Sequence, residues 1–357
     1  MAERKLNIPK NFIDKYGTNF PIWSYSKCSS IDNCIYEYFL SKILKYPSEQ
    51  NIYSEVGGLV HNILEDFYNK KIPYGNMKNK FIEDFENTLF LGYKFYKDKK
   101  KNDITVKSYQ KSIEHFFDTH NIIPYKIYTE KEVWIEIDNH VFVGYIDVMY
   151  QDEDKNIYIL DYKTSSISGY TGKKKEEKAM QLLLYALALN QLGFPLERIK
   201  CCWNFLKYVD VEIETVNSKG KITYKKYRKE RNKWIEGIKE FLFKELIMEF
   251  PDLLEWEIDI KIEECIRMNS IDTLPDSIKN KIQLYDAIEY IDVNEDNIEK
   301  VKRYLVKNIQ EINSRTKNEN WNREYPIDKG SSFYCSNLCG LKKYCKYYQD
   351  YIEKWGE

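Results

Sequence analysis

The sequence has almost no net charge, no long apolar run and only four histidines. Its 55 Lys and Arg residues balance 56 Asp and Glu residues, so the whole-chain charge gives no reason to expect a nucleic-acid partner. The most apolar run, residues 181–189, is too short to span a membrane. The first residues contain no apolar segment typical of a signal peptide, and we therefore expect a cytoplasmic protein that contacts no membrane.

Hydrophobic residues nevertheless make up 43% of the 357 residues, which excludes a disordered polyelectrolyte. This length allows one large domain with insertions or two ordinary domains. In a reducing cytoplasm, the eight Cys are more commonly metal-binding, catalytic or buried than disulfide-bonded.

The first two segments of the chain differ in their hydrophobic pattern. Residues 1–125 carry apolar residues at helical spacing, which predicts a helical N-terminal region. Residues 126–216 give three short apolar or alternating runs joined by polar turns, then a helix over 174–192 and a strand from 199. This β-β-β-α-β order predicts an α/β core in which helices flank a mixed central sheet.

The remaining residues separate into an insertion and a Cys-rich end. Residues 217–330 are strongly basic over 219–233 and acidic over 255–299, and we predict a largely helical insertion there. Residues 331–357 concentrate three Cys, and we expect them to pack back on residues 20–45.

Four motifs combine acidic, basic and amide side chains at positions that the α/β core places near one another. They are Gly58-x-x-His61-x-x-x-Glu65 on a helix, Gly144-x-x-Asp147 in a strand, Asp161-Tyr162-Lys163 at the end of the next strand, and Gln181-x-x-x-Tyr185 on one face of the following helix.

The two aspartates lie on neighbouring strands joined by a short turn, so their carboxylates can converge at one end of the sheet. Such oxygen ligands suit Mg²⁺ or Mn²⁺, and His61 at the rim favours manganese tolerance. Lys163 is two residues beyond Asp161 and shares its face of the strand, where it can assist a metal-activated water. The intervening Tyr162 carbonyl is available as a further ligand.

In this order the motifs resemble those of RecB-like nucleases of the PD-(D/E)XK superfamily, over about residues 22–206 and the C-terminal Cys. The resemblance implies a restriction-endonuclease-like core. It also implies metal ligation by His61, Asp147 and Asp161, with Lys163 as catalytic base or charge stabiliser. Gln181 and Tyr185 then match the motif that orients the site and contacts DNA, and Glu65 matches a commonly acidic position.

The cysteines extend this resemblance to AddB-like and CRISPR-adaptation nucleases, in which four Cys hold a 4Fe-4S cluster. The matching ligands are Cys34, Cys335, Cys339 and Cys345. All-thiolate ligation also suits zinc, and it is the resemblance that favours iron and sulfur. A cluster here would connect the two chain ends and would be structural. Cys28, Cys201, Cys202 and Cys265 are expected to be ordinary thiols.

Two basic regions are candidates for DNA contact. Lys173, Lys174 and Lys175 end a hydroxyl-rich loop that begins after Lys163, and the basic run 219–233 has Tyr224, Tyr227 and Trp234 interleaved or adjacent. The alternatives are a solvated loop and a solvated helix face.

No phosphate-binding loop accompanies these features, because Gly169-x-x-Gly172-Lys173 is too short for a Walker A motif. The chain therefore either acts without ATP or works with a helicase or recombination protein.

These observations predict a metal-dependent DNA exonuclease that acts on DNA ends or single strands in recombination, repair or phage DNA processing. One alternative is a non-catalytic DNA-binding or scaffold module of a helicase–nuclease complex, which the intact Asp147, Asp161 and Lys163 disfavour. Another is a CRISPR-adaptation nuclease. The neutral net charge is an average over basic and acidic regions, so it does not exclude nucleic acid.

Overall fold

A computed structural model describes residues 6–330 and 332–356 of the chain. The helices in this part are α1 (Lys10–Tyr16), α2 (Tyr25–Asn33), α3 (Ile35–Tyr38), α4 (Ile52–Tyr68), α5 (Met77–Phe90), α6 (Lys99–Thr119), α7 (Lys173–Gln191), α8 (Lys239–Glu249), α9 (Glu255–Met268), α10 (Asp276–Lys279), α11 (Glu295–Lys317) and α12 (Lys346–Trp355). The strands are β1 (Ile22–Trp23), β2 (Ile127–Ile137), β3 (His140–Gln151), β4 (Ile157–Lys163), β5 (Ile199–Val216), β6 (Ile222–Glu230) and β7 (Ile282–Ile291).

All seven strands belong to one mixed sheet. β2 and β3 form an antiparallel hairpin, β3 pairs antiparallel with β4, and β4 pairs parallel with β5. A parallel pair needs a crossover connection, and α7 supplies it. β5 also pairs antiparallel with β6 and with β7, and β1 pairs parallel with β3. The predicted β-β-β-α-β order and the mixed α/β sheet are confirmed.

Helices cover both faces of this sheet. Alternate residues of β4 and β5 point to opposite sides, so Ile159 and Trp203 join the core beneath α7, α11 and α2. Leu160 and Cys202 join the core beneath α4, α5 and α6. This second layer places the His61 helix directly over the end of β4. No helix in the described residues has the length and apolar character needed to cross a membrane.

The segment 217–330 contributes to the sheet as well as to the helices. Residues 222–230, within the basic run, form strand β6 and not a helix, and residues 282–291 of the acidic region form β7. The tight turn at Gly220, with φ +74°, returns the chain along β5. Lysines are common on edge strands because they discourage pairing with another sheet, and this obscured the strand pattern of β6.

Candidate metal centre

Asp147 and Asp161 face each other across two paired strands. In the β3–β4 ladder Val148 pairs with Leu160, so the next position along puts Asp147 opposite Asp161. Directly opposed side chains in an antiparallel pair share one face. Asp161 is buried and Asp147 is half-buried, which brings two carboxylates together in a poorly solvated place.

His61 joins them from α4. Asn51 begins this helix by accepting a hydrogen bond from the Ser54 backbone N–H, and its buried apolar stripe packs on the sheet. His61 Nδ1 lies 3.3 Å from Asp147 Oδ2. Each of the three side chains offers one ligand atom, and these atoms all lie within 4.8 Å of one another, as ligation of a shared metal ion requires. The three residues are His61, Asp147 and Asp161.

The Tyr162 carbonyl, predicted to be available to a metal, accepts a hydrogen bond from His61 Nε2 at 2.8 Å. If Nε2 carries the proton in a neutral ring, Nδ1 presents its lone pair to the Asp147 carboxylate, so a cation between them is favourable. Two neighbouring ligands of an octahedral ion, each ~2.1 Å away, would also stand about 3 Å apart. The donor set therefore fits Mg²⁺ or Mn²⁺.

Electrostatics at this position also favour a cation. Burial and the nearby Asp161 carboxylate raise the pKa of Asp147 to about 9. Burial lowers the pKa of His61, and Asp161 only partly offsets that effect. Two like charges that are close together and poorly solvated resist joint ionisation, and a divalent cation removes the conflict.

Lys163 lies beside the carboxylates, as the i,i+2 spacing on a strand predicts. Its Nζ is 2.5 Å from Asp161 Oδ2. Burial opposes the charged lysine, but the Asp161 and Asp147 carboxylates outweigh burial and raise the pKa of Lys163. The ammonium group therefore sits at the edge of the proposed metal position.

The Gln181 and Tyr185 pair lies behind the aspartates on α7. Gln181 Nε2 donates a hydrogen bond to Tyr185 Oη at 2.9 Å, and the Tyr185 ring is buried. This ring packs directly on Gly144, where a Cβ would overlap its Cε1 atom. The Gly144-x-x-Asp147 spacing thus reflects a close contact between β3 and α7 three residues before the metal site.

Glu130 is a further carboxylate that the sequence motifs did not reveal. In the β2–β3 hairpin, Thr129 pairs with Val148 and Lys131 with Ile146. Glu130 therefore lies opposite Asp147, and the negative charge of Glu130 contributes to raising the pKa of Asp147. The two-residue Asp138-Asn139 turn fixes this register, so counting back along the hairpin could have found Glu130. Glu65, in contrast, accepts a hydrogen bond from Asn69 and is not in the three-residue group.

The predicted DNA-contact lysines lie at the start of α7. Lys173 and Lys174 are exposed, whereas Lys175 Nζ lies 3.2 Å from Glu289 of β7. In the second basic region Tyr224 is exposed, but Trp234 is 1% exposed and belongs to the core formed by α8 and α9. Trp234 is therefore not positioned to contact DNA.

The four predicted cluster Cys also converge. Cys34, Cys335, Cys339 and Cys345 line one small cavity, and Arg323 Nη1 donates a hydrogen bond to Cys34 Sγ at 3.1 Å. Neighbouring contacts join the same two parts of the chain: Tyr46 stacks on Tyr344, with ring centroids 4.5 Å apart, and the Glu49 backbone N–H donates to the Gly340 carbonyl at 2.9 Å.

Comparison with known proteins identifies the family. The model of the PD-(D/E)XK nuclease superfamily matches residues 22–346, and the chain belongs to this superfamily. Membership indicates a metal-dependent nuclease. No curated protein matches the chain. A crystal structure of SSO0001 is 15% identical and aligns over 68% of this chain and 88% of that one, with a TM-score of 0.18.

Proposed function

We propose that the protein is a Mg²⁺- or Mn²⁺-dependent DNA exonuclease of the RecB-like type that acts on single strands or ends. The observation that carries the proposal is the convergence of His61, Asp147 and Asp161 within 4.8 Å, with Lys163 on Asp161. A divalent cation held there would polarise the scissile phosphate and activate a water.

Each residue of this group then has a distinct task. The Asp147 and Asp161 carboxylates and His61 Nδ1 would hold the cation, and the Tyr162 carbonyl would orient the His61 ring by accepting the Nε2–H hydrogen bond. The Lys163 ammonium group lies where it can stabilise the negative charge that develops on the phosphoryl oxygens or take part in proton transfer. Gln181 and Tyr185 brace the strand that carries Asp147.

Cleavage of end-labelled DNA with Mn²⁺ tests this function. Asp161→Ala and Lys163→Ala are expected to abolish cleavage of single- and double-stranded substrates. Asp154→Ala is the matched control, because this exposed carboxylate lies in the β3–β4 turn at the other end of β4. Wild-type cleavage by Asp161→Ala would contradict the assignment. Cleavage of circular single-stranded DNA would contradict exonuclease action, and cleavage of RNA alone would contradict the choice of DNA.

We further propose that Cys34, Cys335, Cys339 and Cys345 hold a 4Fe-4S cluster. These four thiols line one cavity, which supports a shared metal centre. All-thiolate ligation suits zinc as well as a cubane cluster, in which each thiolate binds its own iron, and the family resemblance favours iron and sulfur.

Anaerobic purification followed by iron and acid-labile sulfide analysis tests the cluster. Wild type is expected to be brown and to contain both elements, and Cys339→Ser to lose them. Cys265→Ser is the matched control, since this buried thiol lies on α9 and contacts Thr273, apart from the four ligands. A colourless protein with stoichiometric zinc would contradict the proposal.

A further inference from the structure

A column of aromatic rings leads from the interior to the surface near the metal centre. Tyr53 lies eight residues before His61 on α4, about 12 Å along the helix, and is 38% exposed. Its ring contacts the buried Phe95 edge-on, with centroids 5.3 Å apart. Phe95 in turn packs on Tyr109, again with centroids 5.3 Å apart. The Tyr53 ring is therefore partly exposed at the surface and is held in place by packing on Phe95.

The base of this column touches the strand end that carries Lys163. The next residue, Thr164, lies beneath α4: a Cβ on Gly57 would be 3.5 Å from Thr164 Oγ1. Gly57 is one helical turn before His61. The Tyr109 side chain also lies beside Thr164. A half-buried hydroxyl group thus stands one turn of α4 away from the metal ligands and one residue beyond Lys163.

Lys207 adds a positive charge to the same place. Its Nζ lies 5.3 Å from the centroid of the Tyr109 ring, where a cation–π contact holds it. It lies on β5 at the point where the pairing with β7 shifts register, between Asn204 and Val209. In residues 6–330 and 332–356, no carboxylate oxygen comes within 4.0 Å of this ammonium group. Burial lowers the pKa of Lys207, which Glu230 only partly offsets.

We infer that Lys207 and Thr164 form a subsite for the phosphate next to the one that is cleaved, and that Tyr53 stacks on an adjacent base. The inference rests on the proposed nuclease function and specifies how the strand is held beside the metal centre. An ammonium group and a hydroxyl group match the charge and acceptors of a phosphodiester. An aromatic face accepts any base, so this subsite binds without sequence preference.

The chemistry of the subsite predicts a defined kinetic pattern. Strand contacts remote from the reacting bond bind the substrate and the transition state alike, so their loss raises KM with little change in kcat. Removal of one phosphate contact also lowers the salt dependence of single-strand binding, by about 0.7 in the log–log slope. Burial of Lys207 disfavours its charge and the Tyr109 contact favours it, so removing the charge is expected to change the stability of the fold little.

Binding of the full chain to a fluorescein-labelled oligothymidylate, measured by anisotropy in EDTA, tests the inference together with Mn²⁺-dependent cleavage. Lys207→Gln is expected to weaken binding about tenfold, as loss of one charge-assisted contact does, with wild-type stability. Tyr53→Ala is expected to weaken binding at least about fivefold, and Tyr53→Phe to bind normally. Lys155→Gln, at the far end of β4, is the matched control for loss of one exposed charge.

The outcomes separate this inference from the nuclease function. Wild-type affinity in Lys207→Gln, with cleavage still abolished by Asp161→Ala, would overturn the subsite and leave the nuclease intact. A fall in kcat without a change in affinity would also overturn it, because Lys207 would then act in the chemistry. Absence of cleavage in wild type would instead refute the proposed function.

Discussion

Replacement of Gly144 by Ala is expected to destabilise the protein through one steric contact. Gly144 has no positive φ angle, so an L-residue strains no backbone there. Its added Cβ would overlap Tyr185 Cε1 and lie 3.2 and 3.3 Å from Cδ1 and Cζ. Tyr185 is 6% exposed and its hydroxyl group accepts a hydrogen bond from Gln181, so its ring cannot rotate into solvent.

The size of this effect follows from two opposing contributions. Overpacking a well-filled core costs about 1–3 kcal/mol, and an overlap with a ring held by neighbours belongs in the upper part of that range. Replacing a strand glycine lowers the entropy of the unfolded chain and returns about 0.5–1 kcal/mol. We therefore expect Gly144→Ala to lower the free energy of unfolding by about 1–2 kcal/mol.

A double-mutant cycle measured by urea unfolding isolates the contact. Tyr185→Ala removes the ring, so Gly144→Ala should cost nothing in that background, and the coupling energy should reach at least about 1 kcal/mol. Gly58→Ala is the control, because a Cβ there meets no atom within 4 Å and the helix should gain about 0.5–1 kcal/mol. Equal costs in both backgrounds, within about 0.5 kcal/mol, would refute the reasoning.

Two further predictions concern the buried charges behind the site. Burial and the Arg231 cation lower the pKa of His115 to about 3, so the folded protein excludes a proton that the unfolded chain binds below about pH 6.5. The free energy of unfolding should therefore fall by ~2 kcal/mol from pH 6.5 to 5. In urea unfolding, His115→Gln should remove this pH dependence, and a variant that retains it would contradict the assignment of the effect to His115. Asp286→Asn should cost about 3–5 kcal/mol, because Arg231 is 1% exposed and Asp286 is its carboxylate partner at 2.7 Å. A thermal unfolding profile unchanged by Asp286→Asn would contradict this prediction.

Local patterns were sufficient to predict the centre of the site. Asp147, Asp161 and Lys163 could be placed because strand alternation and a short turn determine which side chains share a face. His61 required a tertiary contact between α4 and β4, which only the family resemblance supplied. Glu130 was missed because no motif contains it, although the hairpin register places it opposite Asp147.

The strands β6 and β7 could not be predicted in the same way. β6 is rich in lysine, and only one edge of it pairs, so its pattern is not the alternation of a half-buried strand. It pairs with β5 along its whole length, and its Arg228 binds Asp210 of β5 and Glu289 of β7. Such pairings join residues distant in sequence, and composition alone cannot distinguish them from a solvated basic surface.

The proposed binding of nucleic acid also has to be reconciled with a net charge of -1. Within the described residues, Arg228, Arg231 and Lys175 are paired with carboxylates of β5 and β7, so these three cations stabilise the fold. Lys207 has no carboxylate partner in the part of the chain that the structure describes, and it lies beside the strand end that carries Lys163. For the proposed function, the charge that matters is therefore the part that lies near the metal centre without a carboxylate partner, and neither the net charge nor a count of lysines measures it.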